Sequence, residues 1–108
     1  MAGSLTIEPR DEGSFAISGE LDVTTVEAFE AIRLPPPGAE QVVTLDLSGV
    51  TFVDSSGIRA LLQLARQLEE GTLVFARPSR PVQVVLRLID AAHLPGVVIE
   101  PGEDPDSA

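Results

Sequence analysis

Apolar residues recur along this chain with two different periods, and the switches between them divide it into eight elements. In "SLTIEP", Leu5 and Ile7 alternate with polar neighbours. In "SFAISG", Phe15 and Ile17 do the same, so both stretches predict short strands. The "DEG" between them is a turn signal, and the pair reads as a hairpin. The period then lengthens. In "ELDVTTVEAFEAIRL", Val26, Phe29 and Ile32 or Arg33 fall at helical steps, and Thr24 with Glu27 has the spacing of a capping box. "PPPG" at 35–38 stops this helix, because proline lacks the amide donor and crowds the preceding turn.

"QVVTLDLSGV" returns to strand period, with Val43, Leu45 and Leu47 on one face and Val42 on the other. After "DSSG", Ile58, Leu61, Leu62, Ala65 and Leu68 draw an apolar stripe, with Arg59, Gln63, Arg66 and Glu70 outside it. Gly71 is placed to be the residue just past the helix end. "TLVFA" predicts another strand and "RPSRP" a loop. Val82, Val85, Leu86, Leu88, Ile89 and Ala92 outline a third helix whose first turn holds Pro81. "LPG" breaks it, and "VVIE" predicts a last strand.

The order β-β-α-β-α-β-α-β describes an α/β fold: one mixed sheet of four or five strands with helices packed on it. Strands that alternate with helices become parallel neighbours through right-handed crossovers. The domain is expected over residues 1–100, followed by an acidic, disordered tail over 101–108. The "PPPG" stretch is a rigid loop and not a domain linker. If "SFAISG" and "TLDLS" are parallel, both end at the same sheet edge. That brings "GELD" beside "GVTFVDSSG" although about 35 residues separate them.

Composition narrows the chemistry. The chain has 108 residues, enough for one core of modest size. It has no cysteine, so disulfides, thiolate metal sites and cysteine nucleophiles are excluded. Its one histidine, His93, cannot make a multi-histidine metal site. The formal net charge of −10 opposes nucleic acid and anionic lipid and suits basic protein partners. No apolar run approaches the roughly 20 residues of a membrane span, and "MAGSLTIEPRDEG" lacks the pattern of a signal peptide. A cytoplasmic protein is expected. Nucleotide-cradling loops of the P-loop and dinucleotide types are absent, and no base accompanies the serines. Neither a cofactor, nor a metal, nor an enzymatic activity is therefore expected.

"DSSG" supports two readings. Asp and Ser are preferred helix N-caps, because their side-chain oxygens accept the free amides of the first turn, and Gly57 permits a close backbone approach. The same geometry exposes a serine near the positive end of the helix dipole. A phosphate there would add about −1.5 to −2 charges. "GELD" is either a turn leading into a helix or part of a contact surface. Arg59 is either a solvated helix residue or an anchor for an acidic group. His93 reads as a structural polar residue near a helix end.

"GELDVTTVEAF", followed by "VVTLDLSGVTFVDSSGIRALL", resembles the STAS domain of bacterial anti-sigma factor antagonists, over about Ser14 to Ile99. The resemblance implies a phosphoacceptor directly after the aspartate, which is Ser55, with Ser56 as a cap or backbone contact. It implies a partner-facing edge made of Glu20, Asp22, Thr24, Asp54, Ser55, Ser56, Gly57 and Arg59. The implied partners are an anti-sigma factor that is itself a serine kinase and a serine phosphatase. The unphosphorylated antagonist binds the anti-sigma factor and frees a sigma factor, and phosphorylation ends this. No direct nucleic-acid or membrane contact is implied, and the expected state is a monomer or weak dimer. Two alternatives accompany this reading: a non-switching STAS adaptor subunit, for instance of a lipid-transport complex, and a small nucleotide-binding module. The chain departs from the family pattern where "AAHL" stands in place of the glycine that usually follows the third helix.

Overall fold

The computed structural model describes residues 4–11, 13–30, 41–68 and 71–101. Five strands form one sheet in the order β1-β2-β3-β4-β5: β1 Leu5–Pro9, β2 Ser14–Leu21, β3 Val42–Val53, β4 Thr72–Ala76 and β5 Val97–Glu100. β1 and β2 are an antiparallel hairpin turned at Gly13, whose φ is +75°. The pairs β2–β3, β3–β4 and β4–β5 are parallel. The connecting helices are α1 Val26–Glu30, α2 Ser55–Gln67 and α3 Arg80–Leu88. A short 3-10 turn, Ala91–His93, leads into β5. This is the element order that the alternation of periods predicts.

Each crossover moves one strand further in the same direction. Right-handed connections then stack all three helices on one face of the sheet. The burial agrees. Val43, Leu45 and Leu47 of β3, with Ile17, Leu73 and Phe75, form the core against Phe29, Leu61, Leu64, Leu68, Val82 and Leu86. On the other face, Val42 and Ser48 are exposed.

Four details depart from the sequence reading. The α2 face that is fully buried runs through Gly57, Ala60, Leu61 and Leu64, while Ile58, Leu62 and Ala65 are only half-buried. The stripe read as core is thus turned by part of a helical step. Gly71 is not the residue after the α2 cap. The cap is Leu68, and Gly71 lies three further on, donating its amide to the Leu68 carbonyl at 2.7 Å. The third helix stops at Leu88 because Asp90 takes a left-handed conformation, with φ 54°, and Leu88 and Ala92 are exposed where the periodicity placed them inside. The turn before α1 is tied by Asp22 and Thr25 and not by the Thr24–Glu27 spacing (below). The expected "PPPG" stop, Ile32, Arg33, Glu70 and the tail beyond Pro101 lie outside the described residues.

The open face holds one polar cluster that periodicity alone cannot show. Asp46 of β3 is flanked in the sheet by Ala16 and Ala76, whose small side chains leave room for long ones to fold over it. Arg77 donates to Asp46 Oδ2 at 2.6 Å, Arg10 does so at 3.3 Å, and the Ser48 amide donates to Oδ1 at 3.0 Å. The cluster pins the β1–β2 hairpin and the end of β4 to the central strand. Burial alone would raise the Asp46 pKa, but the Arg77 hydrogen bond and the Ser48 contacts outweigh it, so the carboxyl titrates below its usual value of 3.8.

A depressed folded-state pKa stabilises the fold above the unfolded value, and that contribution is lost as the pH falls through the folded one. Asp46→Asn is therefore expected to cost about 1–2 kcal/mol at pH 7, the lower end reflecting half-exposed arginines. The cost should shrink below about pH 4. Urea unfolding of both proteins across this range checks it, and a pH-independent difference would contradict the ionic account.

Candidate functional site

The carboxyl ends of β2 and β3 run side by side. Glu20 lies opposite Phe52, and Leu21 opposite Val53. β3 reaches this point with two register shifts relative to β2, one between Ala16 and Ser18 and one between Gly19 and Glu20. Beside the first, Gly49 packs closely on β2, where a Cβ on it would lie 2.6 Å from the Ser18 Cβ. The edge so formed joins "GELD" to "VDSSG", as the parallel arrangement requires.

Asp54 is the N-cap of α2. Its Oδ1 accepts the amides of Ser56 at 2.9 Å and Gly57 at 3.1 Å, and its own amide donates to the Leu21 carbonyl at 3.2 Å. Of the residues in "DSSG" competent to cap, Asp54 is the one that does so, and Ser56 makes the backbone contact. Ser56 contributes only a backbone amide and is half-buried. Ser55, the first helical residue, is exposed, and its hydroxyl takes no hydrogen-bond partner among the described residues. With Asp54 already serving the orphan amides, capping does not require the Ser55 hydroxyl.

Gly57 fixes how closely α2 meets β2. A Cβ at this position would lie 2.5 Å from the Leu21 carbonyl oxygen and 2.8 Å from Val53 Cγ2. The glycine is needed for this approach, and the approach sets where Ser55 stands relative to Glu20 and Asp22. Arg59, one turn beyond Ser55, is exposed and makes no ion pair with any described residue.

The turn between β2 and α1 is held by its own polar side chains. The Thr24 amide and hydroxyl donate to Asp22 Oδ1 at 2.8 and 2.6 Å. Thr25 is buried. Its hydroxyl donates to the Glu20 carbonyl at 2.6 Å and accepts the Asp22 amide at 3.0 Å. The hydrogen bond from the Thr24 hydroxyl is the main reason that the Asp22 carboxyl stays below its usual pKa. Thr25 thus fixes the turn that presents Glu20, Asp22 and Thr24.

The site includes two apolar residues that sequence reasoning missed. Val23 is 68% exposed at the tip of the turn, and Phe52 is 47% exposed beside Glu20. Large apolar side chains left in water at a strand-end edge suit a surface that a partner covers. Phe52 could have been found as the aromatic immediately before "VDSSG". Val23 has no such signal, because its exposure depends on the Asp22–Thr25 turn. His93 lies elsewhere, exposed on the 3-10 turn, with Nδ1 2.6 Å from Asp90 Oδ1. Among the described residues no cluster of three or more acidic or histidine side chains can hold a metal ion. No described helix is long and apolar enough to cross a membrane.

The fold and this edge place the chain in a class. A family model described as "Mlab, STAS domain" matches residues 6–99, and the chain belongs to the STAS domain family. Among solved structures, it is similar to the anti-sigma factor antagonist SpoIIAA in its unphosphorylated form, with a TM-score of 0.63 and 20% identity, covering 96% of this chain and 92% of that one. That likeness establishes the shared fold. No curated protein matches the chain.

Proposed function

We propose that this STAS domain is an anti-sigma factor antagonist whose docking edge is switched by phosphorylation of Ser55. The observation that carries this is the division of labour in "DSSG". Asp54 caps the helix and Gly57 seats it against Leu21, so an exposed hydroxyl is left with no structural task. The similarity to the fold of an anti-sigma factor antagonist supports the same reading.

In the unmodified state the edge docks on a kinase-type anti-sigma factor through Glu20, Asp22, Thr24, Phe52, Val23 and the first turn of α2, with Arg59 as a cationic contact. The partner supplies ATP and the transfer chemistry. The Ser55 oxygen attacks the γ-phosphorus, its proton leaves to a base on the partner, and ADP departs. The chain contributes an accessible hydroxyl and a rigid frame, and it acts as substrate and switch, not as an enzyme. The new phosphate joins Glu20, Asp22 and Asp54 on an already acidic edge, so the complex weakens by repulsion and by loss of close packing. A serine phosphatase restores the hydroxyl. The proposed setting is the cytoplasm, with the domain ending near residue 100 and an acidic tail beyond it.

Incubation with the cognate ATP-binding anti-sigma factor and ATP, followed by peptide mapping, tests the proposal. One phosphate on Ser55, abolished by Ser55→Ala, is the expected result. Phosphate on another residue, or none, would overturn it. The alternative is a STAS adaptor docked without a switch. In that case Ser55→Asp would leave binding unchanged.

A further inference from the structure

The two longer helices segregate charge. The chain has 17 acids, and its seven cations are all arginine. Yet α2 and α3 hold four of those arginines, Arg59, Arg66, Arg80 and Arg87, and no acid. All four are exposed, and none of their side chains makes a hydrogen bond or ion pair with a described residue. Each pair is seven residues apart and so repeats on one side of its helix.

Between α2 and the segment that follows α3 lies a groove of about 480 Å³, lined by Leu62, Ala65 and Arg66 of α2 and by Ile89, Leu94 and Pro95. Leu62, Ala65, Ile89 and Leu94 are half-buried, and Leu88, next to Ile89, is 77% exposed. The lining residues of α2 are in its later turns, and Pro95 leads into the start of β5. The groove therefore opens toward the end of the sheet opposite Ser55.

We infer that this groove is a second docking surface, built for an amphipathic helical segment of a partner protein that carries carboxylates beside aliphatic anchors. Aliphatic walls accept side chains at i and i+4 of such a helix. The Arg66 guanidinium in the groove wall offers forked, charge-assisted hydrogen bonds to carboxylates. Anionic bilayers and nucleic acids would meet the field of the whole chain, whose net charge is −10, whereas a short acidic segment meets Arg66 first. A second copy docked symmetrically on this face would bring the same arginines into opposition.

The test selects from a display library of random peptides of about 15 residues, long enough for a marginal helix, on the immobilised full chain. Enriched peptides are expected to carry Asp or Glu around Leu or Ile at helical spacing. They should perturb the amide resonances of Leu62, Ala65, Ile89 and Leu94. Arg66→Glu, an exposed change whose folding circular dichroism verifies, should weaken a synthetic copy of the peptide by about tenfold or more. Raising the salt from about 0.1 to about 1 M should also weaken it, because the Debye length falls from about 10 to about 3 Å. Ser55→Asp should leave this binding unchanged, so the result stands apart from the switch.

The inference fails if no peptide is enriched, if Arg66→Glu binds equally well, or if the shifts map to the Ser55 edge. It also fails if vesicles containing phosphatidylglycerol displace the peptide from the groove. Concentration-dependent dimerisation that Leu88→Glu abolishes would fail it too, by assigning the groove to a second copy.

Discussion

Replacing Ser55 by glutamate is expected to lower affinity for the cognate anti-sigma factor by about 30- to 1,000-fold, while the domain stays folded. The estimate follows from about 2–4 kcal/mol for an uncompensated charge at a close contact, at 1.4 kcal/mol per factor of ten. Three features of the edge make the effect large. Ser55 shares the edge with Glu20, Asp22 and Asp54, so the added charge has neighbours of the same sign. Phe52 and Val23 stand exposed beside it, and covering them removes the water that would screen the charge. Arg59, exposed one helical turn away, is a single cation against these acids.

Stability should hardly change, because an acid in the first turn of a helix faces the favourable end of its dipole. Ser55→Ala supplies the control: it should bind like the unmodified chain yet accept no phosphate. Calorimetric titration of the two variants against the anti-sigma factor separates added charge from a lost hydroxyl. An adaptor that docks without switching would show no difference between them.

Gly57→Ala is expected to destabilise the domain by about 1–3 kcal/mol, the usual cost of overpacking a filled site. Helix propensity alone points the other way, since alanine gains about 1 kcal/mol over glycine in a helix. The contact decides the sign. A Cβ 2.5 Å from the Leu21 carbonyl oxygen must move backbone, and both sides of that contact belong to the core edge. The helix must tilt away, and the two amides that Asp54 accepts would be strained with it. A fall in melting temperature of about 4–8 °C per kcal/mol checks this. An unchanged or raised melting temperature would show that the close approach is not needed. Because α2 carries Ser55, the variant should also bind the partner less well in proportion to the displacement.

Most of the fold was legible because burial in this domain follows the two periodicities closely. Val43, Leu45 and Leu47 alternate in the sequence and are all fully buried, and each strand–helix alternation became one parallel crossover. What was not legible depended on single backbone conformations. Nothing in "LRLIDAAH" announces that Asp90 will turn left-handed and cut the helix at Leu88. The buried face of α2 lies slightly off the stripe that the large apolar residues draw, because small Gly57 and Ala60 are fully buried while Ile58 and Leu62 are half-covered.

The site divides the same way. "GELD" and "DSSG" could be placed on one edge from the βαβ logic, and the structure brings them together across the Leu21–Val53 pair. Which residue caps could not be read, because aspartate and both serines are competent. The choice of Asp54 is a matter of register at the strand end. Thr25, which ties the turn to the Glu20 carbonyl, carries no signal in the sequence, where its neighbour Thr24 has the capping-box spacing. The Asp46 cluster needed tertiary information, since Arg10 and Arg77 lie 36 and 31 residues from it in the chain.

The most direct measurement is a calorimetric titration of the anti-sigma factor with two forms of this chain, unmodified and fully phosphorylated on Ser55, under identical salt. Tight one-to-one binding of the unmodified form and a loss of about two orders of magnitude or more in the phosphorylated one is the result expected. Equal affinities of the two forms would contradict the switch, whatever else the edge binds.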